Sequence, residues 1–143
     1  MLSADQFNGN VADTITLNET QRHRRRLAMT SDAGTEFLLD LPDARLLKHG
    51  DVLQLNDGSM IEVRAVPEKL YRVRGKHKRH LLALAWQIGN RHLAAQIADD
   101  HILIRQDHVI ETMLIGLGAT VEKIEAPFNP ESGAYAQHNH HHD

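Results

Sequence analysis

The hydrophobic period of this chain changes near residue 70, and that change constrains the fold more than any single residue does. Before it, apolar residues alternate in short runs. Val11, Ile15 and Leu17 share one side of a period-2 stretch from Val11 to Leu17, interrupted at Asp13. Arg22 to Met29 and Thr35 to Leu41 flank the turn-rich segment Thr30-Ser31-Asp32-Ala33-Gly34, which predicts a hairpin. Val52 to Leu55 and Met60 to Val66 enclose Asn56-Asp57-Gly58-Ser59 and predict a second, with Asp-Gly supplying the positive φ of a tight turn. Pro42 and Pro67 punctuate the ends of this region, so residues 1–70 read as one all-β domain.

After residue 70 the period lengthens. Leu81, Leu84, Ala85 and Ile88 fall at i, i+3, i+4 and i+7 and define an apolar helix face that Gly89-Asn90 should stop. Ile110, Met113, Leu114 and Leu117 mark a second amphipathic helix, with Asp107 as N-cap and Gly118 as the residue past its end. Strands fit around them at Leu70 to Arg74, Leu93 to Ala98, His101 to Gln106 and Ala119 to Glu125. Residues 71–126 thus read β-α-β-β-α-β, the ferredoxin-like order, an α+β domain in which two helices cover one face of a four-stranded antiparallel sheet. The other face must then be hidden or used. From Pro127 onward Pro130, Gly133 and aperiodic polar residues predict a flexible tail over 127–143.

Composition excludes several kinds of chemistry. With 143 residues, 41% apolar and 24% charged, a folded protein of two small units is expected rather than a disordered chain. Zero cysteines remove disulfides, thiolate metal sites, iron–sulfur clusters and cysteine nucleophiles together. A formal charge of −3 gives no overall attraction to nucleic acid or to an anionic membrane. Read as a strand, the run Arg22-His23-Arg24-Arg25-Arg26 divides its charge between two faces, which favours a solvated hairpin or an acidic protein partner over nucleic acid. The start of the chain has no basic segment followed by an apolar core, and the longest apolar run is Leu81 to Trp86, so a cytoplasmic location is expected. His-Glu-x-x-His, Gly-x-Ser-x-Gly and Gly-x-x-x-x-Gly-Lys are absent, which speaks against an enzyme.

Histidine is what remains. The chain has eleven, and His138, His140, His141 and His142 crowd the last six residues as ligands suited to nickel, copper or zinc. An appended purification tag would explain them too, although Asn139 and the closing Asp143 are atypical of one. His92 follows the first helix in Gly89-Asn90-Arg91-His92; taken alone it is unremarkable, but near a two-fold axis its symmetry mate would supply a second imidazole. His108 opens the second helix, where the dipole favours a neutral ring, and is the weaker candidate because Asp107-His108 is also an ordinary capped helix start. Asp99-Asp100-His101 reads as a turn. His77 and His80 lie among Lys76, Lys78 and Arg79, whose charges repel a cation.

Three segments in order carry a resemblance: Trp86-Gln87-Ile88-Gly89-Asn90-Arg91-His92, then Asp107-His108-Val109, then Pro127-Phe128-Asn129-Pro130-Glu131-Ser132-Gly133-Ala134-Tyr135 before a histidine-rich end. Together they resemble urease accessory protein E, a nickel metallochaperone family. The resemblance implies a homodimer of ferredoxin-like domains in which His92 of each chain shares one Ni²⁺. It also implies a β domain that binds protein partners, and delivery of nickel to apo-urease with other accessory proteins. Some members carry a second histidine pair where this chain has Gln106 and His108, which puts an accessory site at His108 in doubt. Two rival readings stand beside this one: a protein-binding adaptor with incidental histidines, and storage of nickel or zinc through the tail.

Overall fold

The computed structural model describes residues 11–131, and these form two compact units that part between Val66 and Pro67. The first unit is built from β1 (Asp13–Leu17), a helical turn α1 (Glu19–Arg22), β2 (Arg26–Thr30), β3 (Glu36–Asp40), β4 (Val52–Gln54) and β5 (Met60–Ala65). Both expected hairpins form: β2 pairs antiparallel with β3, and β4 with β5 across a turn where Gly58 takes φ +89°. Sequence periodicity did not show that β1 lies parallel to β5, which makes a sheet of order β1-β5-β4. The period-2 face is the reason both sheets share one core. Ile15, Leu17, Leu53, Ile61 and Val63 from the larger sheet meet Met29 and Leu39 from the hairpin and Leu41 and Leu47 beyond it.

The basic run departs from the expected strand. Asn18 caps α1 with a reciprocal capping box to Gln21, so Arg22 ends a helical turn, and β2 begins only at Arg26. Arg22 is 1% exposed and its Nε donates to the Leu47 carbonyl at 2.8 Å, while the Leu47 N–H donates back to the Arg22 carbonyl. It pins the loop before β4 instead of facing a partner, and the alternating-face argument does not apply to it. Arg24, Arg25 and Arg26 are exposed.

The second unit runs β6 (Glu68–Arg74), α2 (Lys78–Asn90), β7 (Gln96–Ile97), β8 (Ile102–Arg105), α3 (His108–Gly116) and β9 (Thr120–Ala126). Its sheet has the order β7-β8-β6-β9 with every neighbouring pair antiparallel. Alternation along the strands sorts the two faces. Tyr71, Val73, Ile102 and Ile104 pack against Leu81, Leu84 and Ile88 of α2 and Ile110 and Leu114 of α3. Leu70 and Leu103 point the other way and are covered by Phe128, which is fully buried with the Arg105 guanidinium 4.7 Å from its ring centroid. Residues 127–131 are therefore a packed strap, not part of a free tail. An apolar anchor inside Pro-Phe-Asn-Pro is what the reading of a period-free tail overlooked.

Candidate metal centre

Both helices of the second unit end in the same motif, and one of them ends in a histidine. At α3 the chain passes Leu117 into Gly118 at φ +86°; Gly118 N–H donates to Ile115 O and Ala119 N–H to Leu114 O, each at 3.0 Å. This is a Schellman ending with glycine at its left-handed position, as Gly118 was expected to be. At α2 the pattern repeats: His92 N–H donates to Gly89 O at 3.0 Å and Leu93 N–H to Ile88 O at 3.4 Å. The left-handed position there is His92, at φ +59°, the one non-glycine with positive φ among the described residues. Gly89-Asn90 does not stop α2, which includes both; His92 does.

His92 is exposed, and an apolar stripe leads to it. Leu82 and Trp86, 63% and 65% exposed, lie one helical turn apart on the outer side of α2, and Gly89 continues the row. A Cβ added at Gly89 would meet nothing within 4 Å, so nothing in this chain's described residues requires a glycine there. Leu93, half-buried, returns the chain to the core. The next strand is shorter than expected, with only Gln96 and Ile97 paired to β8.

The other histidines are engaged in different ways. His77 is the N-cap of α2, its Nδ1 accepting from His80 N–H at 3.2 Å. Lys76 N–H donates to His80 Nδ1 at 2.8 Å, which leaves the proton on Nε2 to be donated to Leu117 O at 2.9 Å. Both nitrogens of His80 are thus used in tying the start of α2 to the end of α3, and neither is free to ligate. His101 lies against Asp100, Nδ1 to Oδ1 2.6 Å, and that hydrogen bond holds the Asp100 carboxyl below the ordinary carboxylate range. Asp107 caps α3 through Oδ1, accepting from Val109 and Ile110 N–H. His108 beside it has an 89% exposed side chain 3.5 Å from Glu111. Glu111 in turn adds to the effect of burial in pushing the Tyr71 hydroxyl above its usual range.

Among the described residues no three His, Asp or Glu side chains converge as a metal-binding group. His92 and His108 stand separately. His138, His140, His141 and His142 lie outside the described residues. What the site offers is one exposed imidazole at the end of an apolar stripe, an incomplete donor set that a second set of ligands would have to finish. No helix among the described residues is long and apolar enough to cross a membrane.

The chain is a protein of two small units, the second with an exposed histidine at the end of α2, and comparison with known proteins agrees in this organisation. Residues 2–66 match the N-terminal domain of the UreE urease accessory protein and residues 68–143 its C-terminal domain. The chain belongs to the UreE urease accessory protein family. It is 71% identical over 128 residues to the urease accessory protein UreE of Chelativorans sp. (strain BNC1), covering 90% of this chain and 81% of that one. The proteins of the same name from Bradyrhizobium sp. (strain ORS 278) and Rhodopseudomonas palustris (strain HaA2) are 55% and 54% identical over 92% and 87% of this chain. This chain spans 62% and 58% of their respective lengths.

Proposed function

We propose that this protein is a nickel carrier for urease maturation. It takes up Ni²⁺, holds it at His92 and its symmetry mate in a homodimer, and passes it to apo-urease with other accessory proteins in the cytoplasm. The second unit, on this reading, is a ferredoxin-like domain serving dimerisation and metal binding. The observation that carries the proposal is the left-handed backbone of His92. A side chain with a Cβ costs energy at a position where α3 uses glycine, and such a cost persists where function needs the side chain. Support for a shared site comes from the stripe Leu82, Trp86 and Gly89: a second copy would cover the exposed leucine and indole side chains, and close approach of its backbone would explain a glycine that this chain's described residues do not need.

An open site suits delivery, because ligand exchange needs vacant positions and a closed cage releases metal slowly. His138, His140, His141 and His142 act as collectors that bind nickel, or zinc or copper in its place. His108, exposed and paired only loosely with Glu111, is at most an accessory ligand. Protons compete with the metal for imidazole nitrogen, so nickel affinity should fall as pH is lowered.

Calorimetric titration with Ni²⁺ tests the reading, using the full chain with the four tail histidines replaced by alanine. One nickel per two chains, lost on His92→Ala, is the expected result. If the tail-substituted chain binds no nickel, the tail is the whole site and the carrier role of His92 is wrong.

A further inference from the structure

The edge strand β7 is completed by residues from the end of the strap. Glu131 N–H donates to the Ala95 carbonyl at 2.7 Å, and its Oε1 accepts from Ile97 N–H at 3.2 Å. Asn129 N–H donates to Gln96 Oε1 at 2.8 Å. An edge strand leaves backbone groups unpaired on its outer side. Here one residue satisfies the Ile97 N–H on that side and the Ala95 carbonyl just before the strand, its carboxylate standing where the carbonyl of a further strand would be. Fully buried Phe128 anchors the strap three residues earlier.

Only Leu93, Ala94 and Ala95 separate His92 from β7. This short link is held on the helix side by the Leu93-to-Ile88 bond and on the strand side by Glu131. The ladder between β7 and β8 covers just Gln96 and Ile97, too little to order the link by itself.

We propose that Glu131 is a positioning residue for His92. By bonding Ala95 just before β7 and Ile97 on its outer edge it keeps residues 92–95 in one conformation and presents the imidazole ready to bind. The proposal rests on the reading of His92 as a nickel ligand. In this role the carboxylate is an acceptor for Ile97 N–H and not itself a ligand. Without that acceptor the link samples other conformations, and apparent affinity falls with the fraction that remains competent.

The test uses the full chain with its four tail histidines replaced by alanine as parent, Ni²⁺ titration by calorimetry, and hydrogen exchange at the Ile97 amide. Glu131→Ala should bind nickel roughly tenfold more weakly than the parent and exchange faster at Ile97. Glu131→Gln keeps a carbonyl oxygen for the same N–H and should stay within about twofold of the parent in affinity. Parent affinity in Glu131→Ala despite faster exchange at Ile97 would overturn the proposal. So would a Glu131→Gln protein as weak as Glu131→Ala, because the charge and not the acceptor would then matter. If the parent and its His92→Ala derivative bind nickel alike, the carrier reading fails and this role goes with it. If those two differ while Glu131→Ala matches the parent, only the positioning role is lost.

Discussion

His92 and Gly118 occupy equivalent places at the ends of α2 and α3, and the difference between them sets the cost of the histidine. A residue with a Cβ in the left-handed region gives up ~1–2 kcal/mol. Glycine would recover that but lose ~0.5–1 kcal/mol to its greater freedom in the unfolded chain. His92→Gly should therefore raise stability by about 0.5–1 kcal/mol in denaturant unfolding while abolishing nickel binding at the site. A clear loss of stability would show that the imidazole has a packing role and that the strain argument is wrong. The candidate residue itself was legible in Gly-Asn-Arg-His. Its backbone conformation was not, because sequence reasoning assigns the end of a helix to glycine or asparagine by default, and Gly89 and Asn90 supplied both, three and two residues early.

Among the elements, α3 was readable at both ends, since Asp107 and Gly118 act locally through their own side chain or lack of one. The β7 strand was not. Leu93 to Ala98 has strand-like residues, but Leu93 to Ala95 is taken up by the ending of α2 and by the bond to Glu131, a residue far along the chain. The strap is the counterpart error. Pro127 and Pro130 signal an irregular segment, and irregular was mistaken for mobile although Phe128 closes the sheet face that the helices leave open. Phe128→Ala should cost about 3–5 kcal/mol in equilibrium unfolding of the second unit. A cost below ~1 kcal/mol would mean that the face is covered without it.

For the whole molecule, the two-unit plan followed from the change of hydrophobic period, and the structure moves the division to Val66 and Pro67 because β6 begins at Glu68. Leu82 and Trp86 remain uncovered by the described residues, and the proposed homodimer would bury them. Trp86→Glu places a charge in that stripe and should shift the protein to monomer in sedimentation velocity, with nickel stoichiometry at the His92 site falling in parallel. A dimer that survives the substitution would put the interface elsewhere. Sequence by itself determined what depends on neighbours along the chain: the alternation of strands and helices, the two hairpins, the caps of α3, and the segments that resemble the UreE family. Tertiary structure alone decided the parallel pairing of β1 with β5, the burial of Arg22 against Leu47, the covering of the sheet by Phe128 and the closing of β7 by Glu131. Those are contacts between residues far apart in sequence, and each is chosen by which apolar face or unpaired backbone group needs a partner, a need that arises only once the units have formed.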